Sequence, residues 1–147
     1  MSTQTLTAAH AEVKAEIART DTKTGLLLAF VGATLAGTWT LARDLPMNIP
    51  AYLTGGAGLA LLVAAAGLLL RSVRPNLRSG RGFPHWATLT PEELVDTATG
   101  RDLAADVVGL SRLAVAKYTG LRSAVDLTCA GGILLVTAVL FALGGAA

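Results

Sequence analysis

Cysteine occurs once in 147 residues, at Cys129, which excludes an internal disulfide and a zinc site built from cysteines. The two histidines, His10 and His85, stand far apart and in no metal-binding spacing such as His-Glu-x-x-His. No Gly-x-Ser-x-Gly occurs, and Ser111 and Ser123 have no histidine nearby in sequence. The cluster Gly55-Gly56-Ala57-Gly58 lies inside an apolar run with no strand before it, so it is not a dinucleotide loop and suits close helix packing instead. Aromatic residues make up 5% and charged residues 15%, where an average soluble domain has about 25% charged. Net charge is only +2, too little to imply a nucleic-acid partner. We therefore expect no catalytic residues, no metal and no resident cofactor.

What is present is apolar: 52% of the chain, mostly Ala, Leu, Val and Gly, with a mean hydropathy of +0.56. That composition argues against a disordered or soluble globular chain. Three runs carry no charge: Thr24–Ala42, Leu45–Leu70 and Leu127–Ala147. About 20 helical residues cross a hydrocarbon core of about 30 Å, so all three qualify as spans. Three such runs in so short a chain favour spans over a buried hairpin. The first 20 residues are polar, so the first run is expected to be retained rather than cleaved as a signal peptide.

Orientation follows from Lys and Arg. Three precede the first run (Lys14, Arg19, Lys23), Arg43 alone lies between the first two, and eight lie between the second and third. This eleven-to-one asymmetry places the N-terminus and the middle segment in the cytosol and the C-terminus outside. Trp39 and Tyr52 fall near the outer ends of their spans, where amphipathic rings prefer to sit. Pro46 and Pro50 are read as part of the tight link between the first two spans.

The cytosolic parts also show helical spacing. Leu6, Ala9, Val13, Ile17 and Thr20 form a stripe that runs unbroken into span one, predicting one helix from about Thr5 to Ala42. Pro75, Asn76, Gly80, Gly82 and Pro84 make residues 72–90 irregular. Thr90-Pro91-Glu92-Glu93 is a capping box, predicting a short helix from Pro91 to about Thr99. Leu103, Val107, Leu110, Ala114, Lys117 and Leu121 then form a stripe that leads into span three. The chain is thus an all-α membrane protein, with three transmembrane helices and helical cytosolic extensions of the first and third. It forms a single membrane domain over 1–147: a cytosolic helix at 1–23, spans at 24–42, 45–70 and 127–147, and a cytosolic loop with helices at 71–126.

Gly25, Ala29, Gly32, Ala33, Ala36 and Gly37 recur at helical spacing in span one. Small residues let backbones approach in lipid, so the stripe predicts self-association, with contact inside one chain as the other reading. The most polar residues deep in the spans are threonines, which disfavours a selective transporter. Cys129 reads as a small apolar packing residue. The basic segment Arg71, Arg74, Arg78 and Arg81, followed by Phe83, His85 and Trp86, has two readings. It anchors on anionic headgroups, or its arginines fork a phosphate while an aromatic face stacks a base. Asp21 and Lys23, beside the membrane, read as interfacial solvation and snorkelling.

The chain resembles the small transmembrane effectors of Pycsar anti-phage systems, the Pycsar-TM family. The resemblance lies in Ala18-Arg19-Thr20-Asp21-Thr22-Lys23-Thr24-Gly25-Leu26-Leu27 at the first span, and in Arg74-Pro75-Asn76, Phe83-Pro84-His85-Trp86 and Leu89-Thr90-Pro91-Glu92-Glu93-Leu94 in the middle segment. It continues in Leu110-Ser111-Arg112-Leu113 and Lys117-Tyr118-Thr119-Gly120-Leu121-Arg122-Ser123-Ala124. Pro84 and His85 depart from a Phe-Gly-type pattern in the family. The resemblance implies a bacterial inner-membrane effector that senses cyclic UMP or cyclic CMP from a neighbouring cyclase and impairs the membrane, arresting or killing the infected cell. Its expected partners are the lipid bilayer, that cyclic pyrimidine mononucleotide and further copies of itself. Lys117 and Arg122, in the family-like Lys-Tyr-x-x-Leu-Arg run, are the first candidates for the phosphate. Arg74, Arg78 and Arg81 come next, with Trp86 or Tyr118 stacking the base. A constitutive holin-like pore, a small membrane scaffold subunit and a membrane enzyme subunit are the alternatives.

Overall fold

The computed structural model describes residues 3–45, 48–74, 87–94 and 102–144. Three long helices make up the fold: α1 (Thr3–Asp44), α2 (Ile49–Val73) and α3 (Leu103–Gly144). All three are long and apolar enough to cross a membrane, and no strand occurs among the described residues. At 1.5 Å per residue the 42-residue helices α1 and α3 each measure about 63 Å, roughly twice a hydrocarbon core. Each therefore holds a span and an extension beyond it, as the two unbroken stripes require.

Burial explains the arrangement. On α2 the buried positions are Ala51, Gly55, Gly58, Leu62, Ala65 and Leu69, in alternating steps of four and three. Ala124, Thr128, Gly131, Ala138 and Ala142 keep the same register on α3, and Thr20, Thr24 and Val31 keep it on α1. A repeat of three and a half residues is the seam spacing of left-handed helix packing. Faces away from the seam stay apolar: Phe30, Leu53, Ile133 and Leu140 are each more than half exposed, which fits a lipid surround.

Contact is most extensive between α2 and α3. A Cβ placed on Gly58 would lie 2.9 Å from the Gly131 carbonyl oxygen, and one on Gly131 would lie 3.0 Å from that of Gly58. Only glycine permits this backbone approach. Gly55 meets Ala138 while Gly58 meets Gly131, so the two helices run antiparallel. At the N-terminal end of α2, Asn48 caps the helix by accepting from Ala51 N at 2.9 Å, and its amide donates to the Phe141 carbonyl oxygen at 2.6 Å. Pro50 lies in the first turn of α2 rather than in the link, where its missing N–H costs nothing. Pro46 lies outside the described residues.

Helix α1 is held more lightly. In its C-terminal half it stands off the α2–α3 pair and leaves an apolar groove of about 490 Å³, lined by Thr34, Thr38 and Trp39 with Gly55, Gly56 and Val139 among others. Arg43 stacks over the Trp39 ring at 5.4 Å, at the single basic position of that end. The threonines within the spans are satisfied locally, each hydroxyl donating to a carbonyl one turn back: Thr24 to Thr20, Thr34 to Phe30, Thr128 to Ala124, Thr137 to Ile133. In the middle segment the capping box forms as its residues predict. Glu93 N donates to Thr90 Oγ1 at 3.3 Å, and Thr90 N donates to Glu93 Oε2 at 2.9 Å. Residues 91–94 are helical, and the expected continuation to Thr99 lies outside the described residues.

Candidate functional site

Lys117 stands on the seam of α3, four residues before Leu121 and three after Ala114. An ammonium at a seam position of an otherwise apolar stripe must find an anion, because removing a bare charge from water is costly. Helix α1 supplies it. Lys117 Nζ lies 2.5 Å from Asp21 Oδ1, with the lysine side chain 18% exposed and the aspartate 46%. One residue on, the Tyr118 hydroxyl donates to Glu16 Oε1. Arg19 Nη1 reaches the other oxygen of Glu16 at 3.2 Å on the exposed side. These groups form one polar cluster between α1 and α3, just below the first residue of span one. Thr20, 1% exposed, sits beside it and donates to the Glu16 carbonyl oxygen at 2.9 Å.

Chemically the cluster is a cation in a narrow seam, open to water on the aspartate side, with a phenol and a guanidinium nearby. Such a set can hold an anion. Among the described residues no group of three His, Cys, Asp or Glu is placed to hold a metal ion.

The sequence-derived candidates are distributed unevenly. Lys117 and Tyr118 share the cluster. Arg122 is exposed and, five residues on, lies about 140° around α3 from Lys117, so the two do not form one phosphate fork. Arg74 is exposed at the C-cap of α2, its N–H donating to the Leu70 carbonyl oxygen at 3.1 Å. Arg78, Arg81 and Trp86 lie outside the described residues. Asp21 and Glu16 belong to the cluster, although sequence spacing had left Asp21 to interfacial solvation. The signal for them was the lone charge in the Leu103–Leu121 stripe, which demands an acidic partner near the same membrane boundary.

The small-residue stripe of α1 faces outward. Gly25, Ala29, Gly32, Ala33, Ala36 and Gly37 are all exposed, and a Cβ on Gly25, Gly32 or Gly37 would meet nothing within 4 Å. Contact inside one chain therefore does not account for it. The intramolecular close approach uses Gly55, Gly58 and Gly131 instead. Cys129 is likewise exposed on the outer face of α3, not packed against another helix of the chain.

No curated protein and no solved structure matches the chain. A family model described as the Pycsar effector protein domain matches residues 5–144, covering both extended helices, the hairpin and the polar cluster. The chain belongs to the Pycsar effector family and is a membrane effector of Pycsar anti-phage defence.

Proposed function

We propose that the protein senses a cyclic pyrimidine mononucleotide, cyclic UMP or cyclic CMP, made by a neighbouring cyclase, and then impairs the bacterial inner membrane so that the infected cell stops growing. The observation that carries this reading is Lys117, a partly buried cation at the cytosolic foot of two membrane helices. A cyclic nucleotide brings one negative phosphate to such a cation and one base to a neighbouring aromatic ring, here Tyr118. The eleven-to-one charge asymmetry supports a cytosolic position for the cluster, where the nucleotide is made, with the N-terminus inside and the C-terminus outside. Several copies act together, joined through the outward small-residue stripe of α1. Membrane damage then follows from rearrangement of helices within that assembly.

The experiment is a titration of detergent-purified, membrane-inserted protein with cyclic UMP, cyclic CMP, cyclic AMP and cyclic GMP, repeated with Lys117→Ala and Arg122→Ala. A pyrimidine nucleotide should bind in preference to both purines. Lys117→Ala should weaken binding about ten- to a hundredfold, as expected for loss of a charged hydrogen-bond partner. Arg122→Ala should change it less, because Arg122 lies off the seam. No binding by the parent protein, with toxicity on expression in the absence of nucleotide, would favour a constitutive pore instead.

A further inference from the structure

We propose that Asp21 is a built-in competitor for the ligand's phosphate: while Asp21 sits on Lys117 it latches α1 to α3, and an incoming phosphate opens the latch. This rests on the nucleotide reading above for the identity of the anion, but the latch itself rests on geometry alone.

Lys117 lies in a seam whose flanking positions, Ala114 and Leu121, are apolar, and its side chain is only 18% exposed. An ammonium so placed is most stable with an anion beside it, since an unpaired buried charge is strongly unfavourable. It is also a compact point charge that makes no demand for planar bidentate geometry. A carboxylate and a cyclic phosphate each present one negative charge and outward oxygens, so either satisfies it. In the closed arrangement a phosphate on Lys117 stands beside the Asp21 carboxylate, and the two anions repel each other. The Asp21 side of the pair is 46% exposed, which gives the ligand a way in and gives the displaced carboxylate water to move into.

Mutual exclusion is what turns binding into movement. A ligand shifts a conformational equilibrium only by its unequal affinity for the two arrangements. Here the inequality is electrostatic: phosphate on Lys117 meets Asp21 across the seam in the closed arrangement and meets water in the open one. Asp21 and Glu16 both belong to α1, and both of their bonds cross to α3 at this one level. Beyond Val31, α1 already stands off the α2–α3 pair across the 490 Å³ groove, so once the foot is released only the packing of Thr20, Thr24 and Val31 resists its departure. The α2–α3 pair, interlocked at Gly58 and Gly131, stays as it is.

Competition also lowers the apparent affinity of the parent protein by the fraction of time that Lys117 is free. Asp21→Asn keeps the shape and removes the competing charge. Two spin labels report the latch directly, at Ala15→Cys on α1 and Ala116→Cys on α3, both exposed positions, with Cys129→Ala removing the native thiol. Asp21→Asn should lengthen or broaden the α1–α3 distance without nucleotide, cause toxicity without nucleotide and bind cyclic UMP or cyclic CMP about tenfold more tightly. The exchanged pair, Asp21→Lys with Lys117→Asp, should restore the parental distance and abolish both the toxicity and the nucleotide response. An Asp21→Asn protein with the parental distance overturns the latch, whatever the nucleotide data. Should the parent bind no cyclic mononucleotide while Asp21→Asn still opens the distance, the latch stands and the nucleotide reading falls.

Discussion

Helix α3 has two neighbours, and it holds them by different means. Against α2 it offers Gly131 and Ala138, so that backbone meets backbone at Gly58 and a methyl meets Gly55. Against α1 it offers Lys117 and Tyr118, and the bonds are polar, near water and at one end. Lipid gives helices no hydrophobic reason to associate, so contact must come from close packing or from polar bonds. Close packing spread along a seam has no competitor in the bilayer. A charge pair open to water on one side has many: water, salt, headgroups and any soluble phosphate. The same helix thus carries a permanent joint and a negotiable one, and the negotiable one is open to water on its aspartate side.

The sharpest way to break that contrast is to crowd the permanent joint. Gly58→Leu forces a side chain where the Gly131 oxygen, Leu135 Cγ and Leu134 Cβ all lie within 3.2 Å of the new Cβ. Backbone cannot give as a side-chain tip can, so the substitution should cost about 3 kcal/mol, the upper end of ordinary overpacking. Unfolding in mixed detergent micelles, followed by protease resistance of the α2–α3 fragment, measures it. A stable Gly58→Leu protein would mean that the two helices are not interlocked there. A smaller effect is expected at the Asn48 end of the same joint. Asn48→Ala removes both the cap on Ala51 N and the donor to Phe141 O. The loss should be about 1–2 kcal/mol, since the freed groups lie at the interface and regain water. It should fray the start of α2 without altering the Lys117 cluster or nucleotide binding.

Much of this arrangement was legible before any coordinates. Charge-free runs announced three helices long and apolar enough to cross a membrane, and the stripes from Leu6 and from Leu103 announced that the first and third helices extend well beyond those runs, as Thr3–Asp44 and Leu103–Gly144 do. The Thr90–Glu93 box was legible because capping is local chemistry. What was not legible is which small-residue face is partnered. Gly25–Gly37 and Gly55–Gly58 look alike in sequence because, in lipid, an exposed face is as apolar as a buried one, so polarity no longer marks the surface. The Asp21–Lys117 pair was hidden for another reason. Its members lie 96 residues apart, and no periodicity reports a partner on another helix.

The smallest expected change to the fold comes from repeating the leucine substitution on the other stripe. Gly32 lies on α1, exposed, with nothing within 4 Å of a Cβ placed there. Gly32→Leu therefore meets no atom of its own chain, and an exposed substitution of this kind should shift monomer stability by no more than about 0.5 kcal/mol. Its effect should fall on association. Small residues at 25, 29, 32, 33, 36 and 37 leave a shallow face on which a second helix can approach closely, and one leucine in the middle holds that helix away. Cross-linking in native membranes should show loss of the higher-order species, and toxicity on nucleotide addition should fall with it. Nucleotide affinity should stay at the parental value, because Lys117 lies on α3 and not on this face. The comparison with Gly58→Leu carries the weight: the same substitution should unfold one joint and merely separate copies at the other. Equal losses of monomer stability at Gly32 and Gly58 would show that α1 has a partner on that face within its own chain. Unchanged cross-linking and unchanged toxicity would show that the stripe faces lipid alone.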